Sequence, residues 1–182
     1  MDKKSFRKAA IELLNKIDNK EVKSQTICDD LFSLCSNYEN IALYMAMENE
    51  VNLDPLILKL LNINKHVLIP KTDKEEMRFV EITNINHPET VFNKYHIREP
   101  NSNIFVDKNK TDVFVIPGVA FDRLMNRLGR GKGFYDRYLI NTNSLKIGVC
   151  FDELLFEEIP HRSHDIKMDI IVTNKRKLAN PI

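Results

Sequence analysis

The sequence predicts an α/β fold: a single three-layer α/β/α domain over residues 1–182, built on a mostly parallel central sheet. Three observations predict it. Short, nearly continuous apolar runs such as HVLIP (66–70) and VFVIP (113–117) suit strands buried on both faces. Between them, apolar residues recur at three- and four-residue spacing, which marks helices. Strands alternating with helices build a parallel or mixed sheet covered on both sides. The chain has 182 residues, 43% of them hydrophobic, so one core forms without disulfide or metal staples.

The elements follow in order. Phe6, Ala9, Ala10, Leu13, Leu14 and Ile17 form one stripe on a helix over about Asp2–Asp18, with Asp2 as its cap. A second helix is expected over Glu21–Ser36, with Val22, Ile27, Leu31, Leu34 and Cys35 inward. The run Ile41–Met47 reads as a buried strand. Asp54-Pro55 opens a third helix, because Asp caps well and Pro suits the first helical position. His66–Pro70 is a strand stopped by proline. Met77–Thr83 and Lys94–Arg98 read as strands, and the rest of residues 71–110 as polar, Asn-rich surface loops. Val113–Pro117 is the clearest central strand. A glycine-rich loop follows, then a helix over Phe134–Asn141 and strands at Leu145–Cys150 and Asp169–Thr173.

Charge and cysteine usage narrow the function. Lys and Arg number 27 against 26 Asp and Glu, net +1, which argues against steering toward nucleic acid or an anionic membrane. Three cysteines (Cys28, Cys35, Cys150) lack CxxC spacing, so they read as small core residues in a reducing compartment. The N-terminus MDKKSFR leads into no long apolar run, and no stretch approaches the ~20 apolar residues of a membrane span. A cytoplasmic monomer is the expectation.

The chemistry concentrates in VFVIPGVAFDRLMNRLGRGKGFYDRYL, residues 113–139. A buried strand enters a loop holding Gly129, Gly131 and Gly133, and a helix starts directly after. Alternate glycines let backbone N–H groups approach an anion without Cβ obstruction. A helix N-terminus adds partial positive charge. Arg127, Arg130 and Lys132 interleave with the glycines and add full charges suited to phosphate oxygens. The pattern is neither a Walker A motif nor a dinucleotide GxGxxG.

With these residues in view, the chain resembles the 5-formyltetrahydrofolate cyclo-ligase family. The stretch PGVAFD…NRLGRGKGFYD, from Pro117 to Asp136, is similar to the family signature. Flanking segments fall in family order: Lys3-Lys4-Ser5-Phe6-Arg7, Met45 with Glu50-Val51, Ile69-Pro70-Lys71, Glu99-Pro100, and His164-Asp165 through Asp169. Departures exist. Met125 stands in the place of a usual glycine, Phe134 in that of a tyrosine, and Asn52-Leu53 where a threonine is common.

The resemblance implies an ATP- and Mg2+-dependent ligase acting on 5-formyltetrahydrofolate, polyglutamylated forms left open. It implies that Lys3, Lys4, Ser5, Phe6 and Arg7 contact ATP together with Arg127, Leu128, Gly129, Arg130, Gly131, Lys132, Gly133, Phe134 and Tyr135. It implies that Arg7, Met45, Glu50, Arg130, Gly131, Lys132, Gly133 and Phe134 meet the folate, Glu50 by hydrogen bonds to the pterin. Arg130, Lys132 and Tyr135 are the catalytic candidates, and Asp136 and Asp165 the metal candidates, with Asp169 a weaker one. Two alternatives stay open: an ATP-independent sugar-phosphate isomerase, and a nucleotide-binding module without turnover.

Overall fold

The computed structural model describes residues 2–86, 89–94 and 96–180. Helices α1 (Lys3–Lys16) and α2 (Lys20–Cys35) lead into β1 (Asn40–Ala42), α3 (Asp54–Asn62), β2 (His66–Thr72) and β3 (Met77–Ile82). The short strands β4 (Thr90–Phe92), β5 (Arg98–Pro100) and β6 (Phe105–Val106) follow, then β7 (Val113–Pro117), β8 (Ala120–Asp122) and β9 (Arg127–Leu128). The chain ends with α4 (Phe134–Tyr138), β10 (Leu145–Val149), β11 (Leu155–Phe156), β12 (Ile170–Val172) and β13 (Lys177–Ala179).

Eight strands form the main sheet in the order β13-β12-β10-β7-β1-β2-β3-β6. The five from β12 to β2 run parallel, and the outer pairings are antiparallel. Val113, Phe114, Val115 and Ile116 are all buried, so both faces of the central strand are covered. The expected mostly parallel α/β sheet is therefore present. The chain builds outward from β1 to β2 and then returns to place β7 on the other side of β1. That reversal opens a crevice beyond the carboxyl ends of β1 and β7, where α/β sheets hold ligands.

Small residues beneath the crevice have a packing reason. A Cβ on Gly118 or on Gly148 would lie 2.5 Å from the buried ring of Phe121, so the two glycines clasp that ring. Tyr138 of α4 packs on Phe79 and Phe114, with ring centroids 5.3 and 6.0 Å away. This fixes α4 against the sheet.

Several boundaries differ from expectation. Strand β2 runs through Pro70 to Thr72 rather than stopping. Leu68 turns its carbonyl toward β1, accepting from Leu43 N–H, so Pro70 faces the same side where β1 no longer pairs and no ladder bond is lost. Of Ile41–Met47 only Ile41 and Ala42 are laddered, because the chain passes the end of its neighbours there. Lys94–Arg98 is not a strand: Asn93 N–H bonds Ile97 O, and Arg98 starts β5, which pairs with β4. Residue 95 lies outside the described residues. Helix α4 ends at Tyr138 rather than Asn141, with Lys108 Nζ capping the Tyr138 and Ile140 carbonyls. Val22 is 69% exposed, off the α2 stripe, and Ser24 takes the inward place by accepting Asn52 N–H. Ala9 and Leu13 lie at the open edge of the α1 stripe. Asp2 caps α1 as expected, accepting from Lys4 and Ser5 N–H.

Candidate active site

The crevice holds a small, half-open cavity of about 10 Å3, room for about one water. Tyr44, Glu50 and Val51 line it from the segment after β1, Pro117 and Gly118 from the end of β7, and Val149, Cys150 and Phe151 from the end of β10. Glu50 faces the glycine-rich loop across its mouth.

That loop is built on a small hairpin. Strands β8 and β9 pair, and β11 adds beside β8. Asp122 is fully buried at the turn, and its carboxylate accepts four N–H groups: Leu124 N, Asn126 N, Asn126 Nδ2 and Ile159 N, at 2.8–3.0 Å. Met125, at the tip, has φ +66°, the left-handed region where glycine carries no Cβ penalty. Beyond β9 the chain passes Gly131 (φ +105°) and Gly133 (φ +68°) into α4. Helix α4 has only five residues, so its axial dipole contributes less than expected and the loop amides carry the anion-binding capacity.

Arg127 lies under this loop rather than on it. Its side chain is 5% exposed, donating to Pro117 O (3.1 Å) and Asp136 Oδ2 (3.1 Å) over the ring of Tyr135. It pins the start of the loop to its end. Burial pushes the Tyr135 phenol up, with Arg127 opposing, so at neutral pH it is a hydrogen-bond donor rather than a base.

Two distant segments reach the loop. Arg7 of α1 donates from Nε to Gly129 O at 2.7 Å and lays its guanidinium beside Gly131. Arg130 donates to Glu50 Oε1 at 3.0 Å from Nε and 2.9 Å from Nη2. Lys3, one helical turn before Arg7, pairs with Asp165. Burial pushes the Asp165 carboxyl up, but Lys3 and the Arg162 N–H (2.6 Å) outweigh it and hold it below the usual range. Asp136 Oδ1 accepts Ile166 N–H at 3.2 Å, so both carboxylates approach the 162–166 turn. Arg137 bonds Lys132 O and Glu75 O, tying the loop to the turn after β2.

The sequence and the fold have counterparts among known proteins. The 5-formyltetrahydrofolate cyclo-ligase family model matches residues 1–174. A probable 5-formyltetrahydrofolate cyclo-ligase of Schizosaccharomyces pombe is 31% identical, covering 99% of this chain and 98% of its own. The chain belongs to the 5-formyltetrahydrofolate cyclo-ligase family. An Escherichia coli 5-formyltetrahydrofolate cyclo-ligase is 33% identical over 73% of this chain and 76% of its own. The NMR structure of Aquifex aeolicus 5,10-methenyltetrahydrofolate synthetase superposes with TM-score 0.86 at 31% identity, covering 98% of this chain and 93% of that one.

For this cyclo-ligase family member, the structure gathers Lys3, Arg7, Glu50, Gly129, Arg130, Gly131, Lys132, Gly133, Phe134, Asp136 and Asp165 around one loop. Others stand apart. Lys4 and Ser5 are exposed at the start of α1, Ser5 Oγ bonding Asp2. Phe6 packs edge-on against Phe156, and Met45 and Leu128 are buried in the core. Asp169 lies at the opposite ends of the strands, accepting Lys146 N–H at 2.8 Å, and only opens β12. Sequence reasoning missed Asp122 and Arg137. Both read as ordinary charges, and nothing in their spacing shows that one is buried and the other bridges two loops.

Proposed function

We propose that the chain cyclises 5-formyltetrahydrofolate to 5,10-methenyltetrahydrofolate, using ATP and releasing ADP and phosphate, with loop 127–135 as the shared site. One observation carries this: Arg7 from α1 and Glu50 from the segment after β1 both engage this loop, at Gly129 and Arg130. A phosphate grip and a pterin acceptor thus meet at one place. An isomerase working without ATP has no use for that second arm.

The N-formyl carbonyl is amide-like and a poor electrophile. Its oxygen attacks the γ-phosphorus, the bond to ADP breaks, and the activated carbon is then attacked by the neighbouring folate N–H nitrogen, which gives up its proton as phosphate leaves. Such a reaction needs positioning and charge neutralisation more than an enzyme nucleophile. The amides around Gly129, Gly131 and Gly133 hold phosphate oxygens, and Arg7, Arg130 and Lys132 neutralise them. Tyr135 donates or packs beneath. Arg127 keeps the loop in shape.

Asp136 and Asp165 fit Mg2+. Two carboxylates converge on one turn, each already balanced by one basic residue, and this cation takes one or two carboxylates plus phosphate oxygens and water. Among the described residues no three His, Cys, Asp or Glu side chains converge. When bound, Mg2+ would neutralise charge on the β- and γ-phosphates. We place the enzyme in the cytoplasm as a monomer, working as one domain, with polyglutamylated substrate accepted or not by contacts outside the loop. Among the described residues no helix is long and apolar enough to cross a membrane.

The test is turnover. Protein mixed with 5-formyltetrahydrofolate, ATP and Mg2+ is expected to yield methenyl-folate absorbance and ADP together; neither product would defeat the reading. Lys132→Ala is expected to lower kcat/KM for ATP by about 1–3 kcal/mol, the value of a lost charge-assisted contact. Unchanged kinetics in that variant would show that the loop is misread.

A further inference from the structure

We propose that the Arg130–Glu50 ion pair couples the two substrate subsites, so that folate binding releases Arg130 to the nucleotide. The inference rests on the loop reading above and goes beyond it.

Glu50 has two carboxylate oxygens, and both are in use. Oε2 accepts Met47 N–H at 3.0 Å, while Oε1 takes both arms of Arg130. Glu50 also lines the small cavity, and its side chain is 14% exposed against 37% for Arg130. The arginine therefore lies on the solvent side and covers the carboxylate. Arg130 holds Oε1 on the solvent side of Glu50, so a pterin reaches that oxygen only if the arginine leaves it.

The chemistry of the exchange is specific. A 2-amino-4-oxo pterin presents two adjacent N–H donors, the fork that a guanidinium presents to a carboxylate. Pterin and Arg130 thus compete for Glu50 Oε1. Arg130 sits between Gly129 and Gly131, the latter at φ +105°, and Gly131 has Arg7 beside it. Once displaced, its charge belongs to the loop that faces phosphate. The pair holds Arg130 away from ATP until folate arrives, which makes the two affinities reciprocal.

Binding of a non-hydrolysable ATP analogue with Mg2+ tests this by calorimetry, with and without saturating 5-formyltetrahydrofolate. Wild type is expected to bind the analogue more tightly when folate is present. In Glu50→Gln, which can still accept Met47 N–H, binding without folate is expected to be about two- to fivefold tighter than wild type, the size of a partly exposed ion pair. Added folate is expected to change it no further. In an Arg130→Ala background the Glu50→Gln change is expected to have no effect on the analogue, closing the cycle. Glu50→Gln binding equal to or weaker than wild type, or an equal effect of Glu50→Gln with and without Arg130, would overturn the coupling. Lys132→Ala separates the failures: if it leaves analogue binding intact, the loop reading itself is wrong, whereas weakened binding there with no Glu50→Gln effect sinks the coupling alone.

Discussion

Asp122→Ala is expected to lose about 4 kcal/mol or more of folding stability, the largest effect of any single change near the site. Its carboxylate is fully buried and accepts four N–H groups, and the three from Asn126 and Ile159 are buried with it. Each buried donor left unpaired costs about 1–3 kcal/mol. Domains of this kind hold about 5–15 kcal/mol in total, so the variant nears its threshold. Asp122→Asn keeps an acceptor for Leu124 and Asn126 N–H but turns an NH2 toward Ile159 N–H or the Asn126 amide, and is expected to fall between. Urea unfolding measures both, with the midpoint falling and the slope unchanged. A loss under about 1 kcal/mol in the alanine variant would mean that the turn rearranges to satisfy its amides another way.

The second large effect concerns Asp136. Removing it strands the Arg127 guanidinium, which is 5% exposed and whose Nε already lacks a hydrogen bond. Breaking such a buried pair costs about 3–5 kcal/mol, because the remaining charge is uncompensated. Asp136→Ala is expected to lose this in chelator and without nucleotide, which separates a structural pair from metal ligation. Arg127→Met combined with Asp136→Ala is expected to recover much of it. If instead Asp136→Ala folds as wild type in chelator, the carboxylate is not needed to balance the arginine.

How much of this was legible in the sequence differs by residue. VFVIP and HVLIP announced central strands because short apolar runs without alternation suit a sheet covered on both faces. The glycine loop was legible because strand, glycines and cations agree at one place. Burial of a charge was not. Arg127 and Arg130 are alike in sequence, three residues apart, yet one lies under the loop and the other over Glu50. Arg127 is held in strand β9 against β8 while Arg130 lies beyond it, and a two-residue strand leaves no pattern to read. Pro70 misled because its cost depends on whether a neighbour pairs on that side, a property of β1 and not of β2. Strands β4 and β5 were hidden because three-residue strands carry almost no periodicity; they pair with each other, and Glu99 of β5 is held by Thr72 of β2. Met125 stands where the resemblance implies a glycine, and its φ of +66° is the left-handed conformation that glycine adopts without penalty.

The central claim is that the loop from Arg127 to Tyr135 receives the nucleotide's phosphates beside Arg7. Amide hydrogen exchange with a non-hydrolysable ATP analogue and Mg2+ tests it most directly. Slowed exchange at the amides of residues 129–133 is the predicted result. Protection confined to another surface, with the amides of the glycine loop exchanging as in the free protein, would contradict the account.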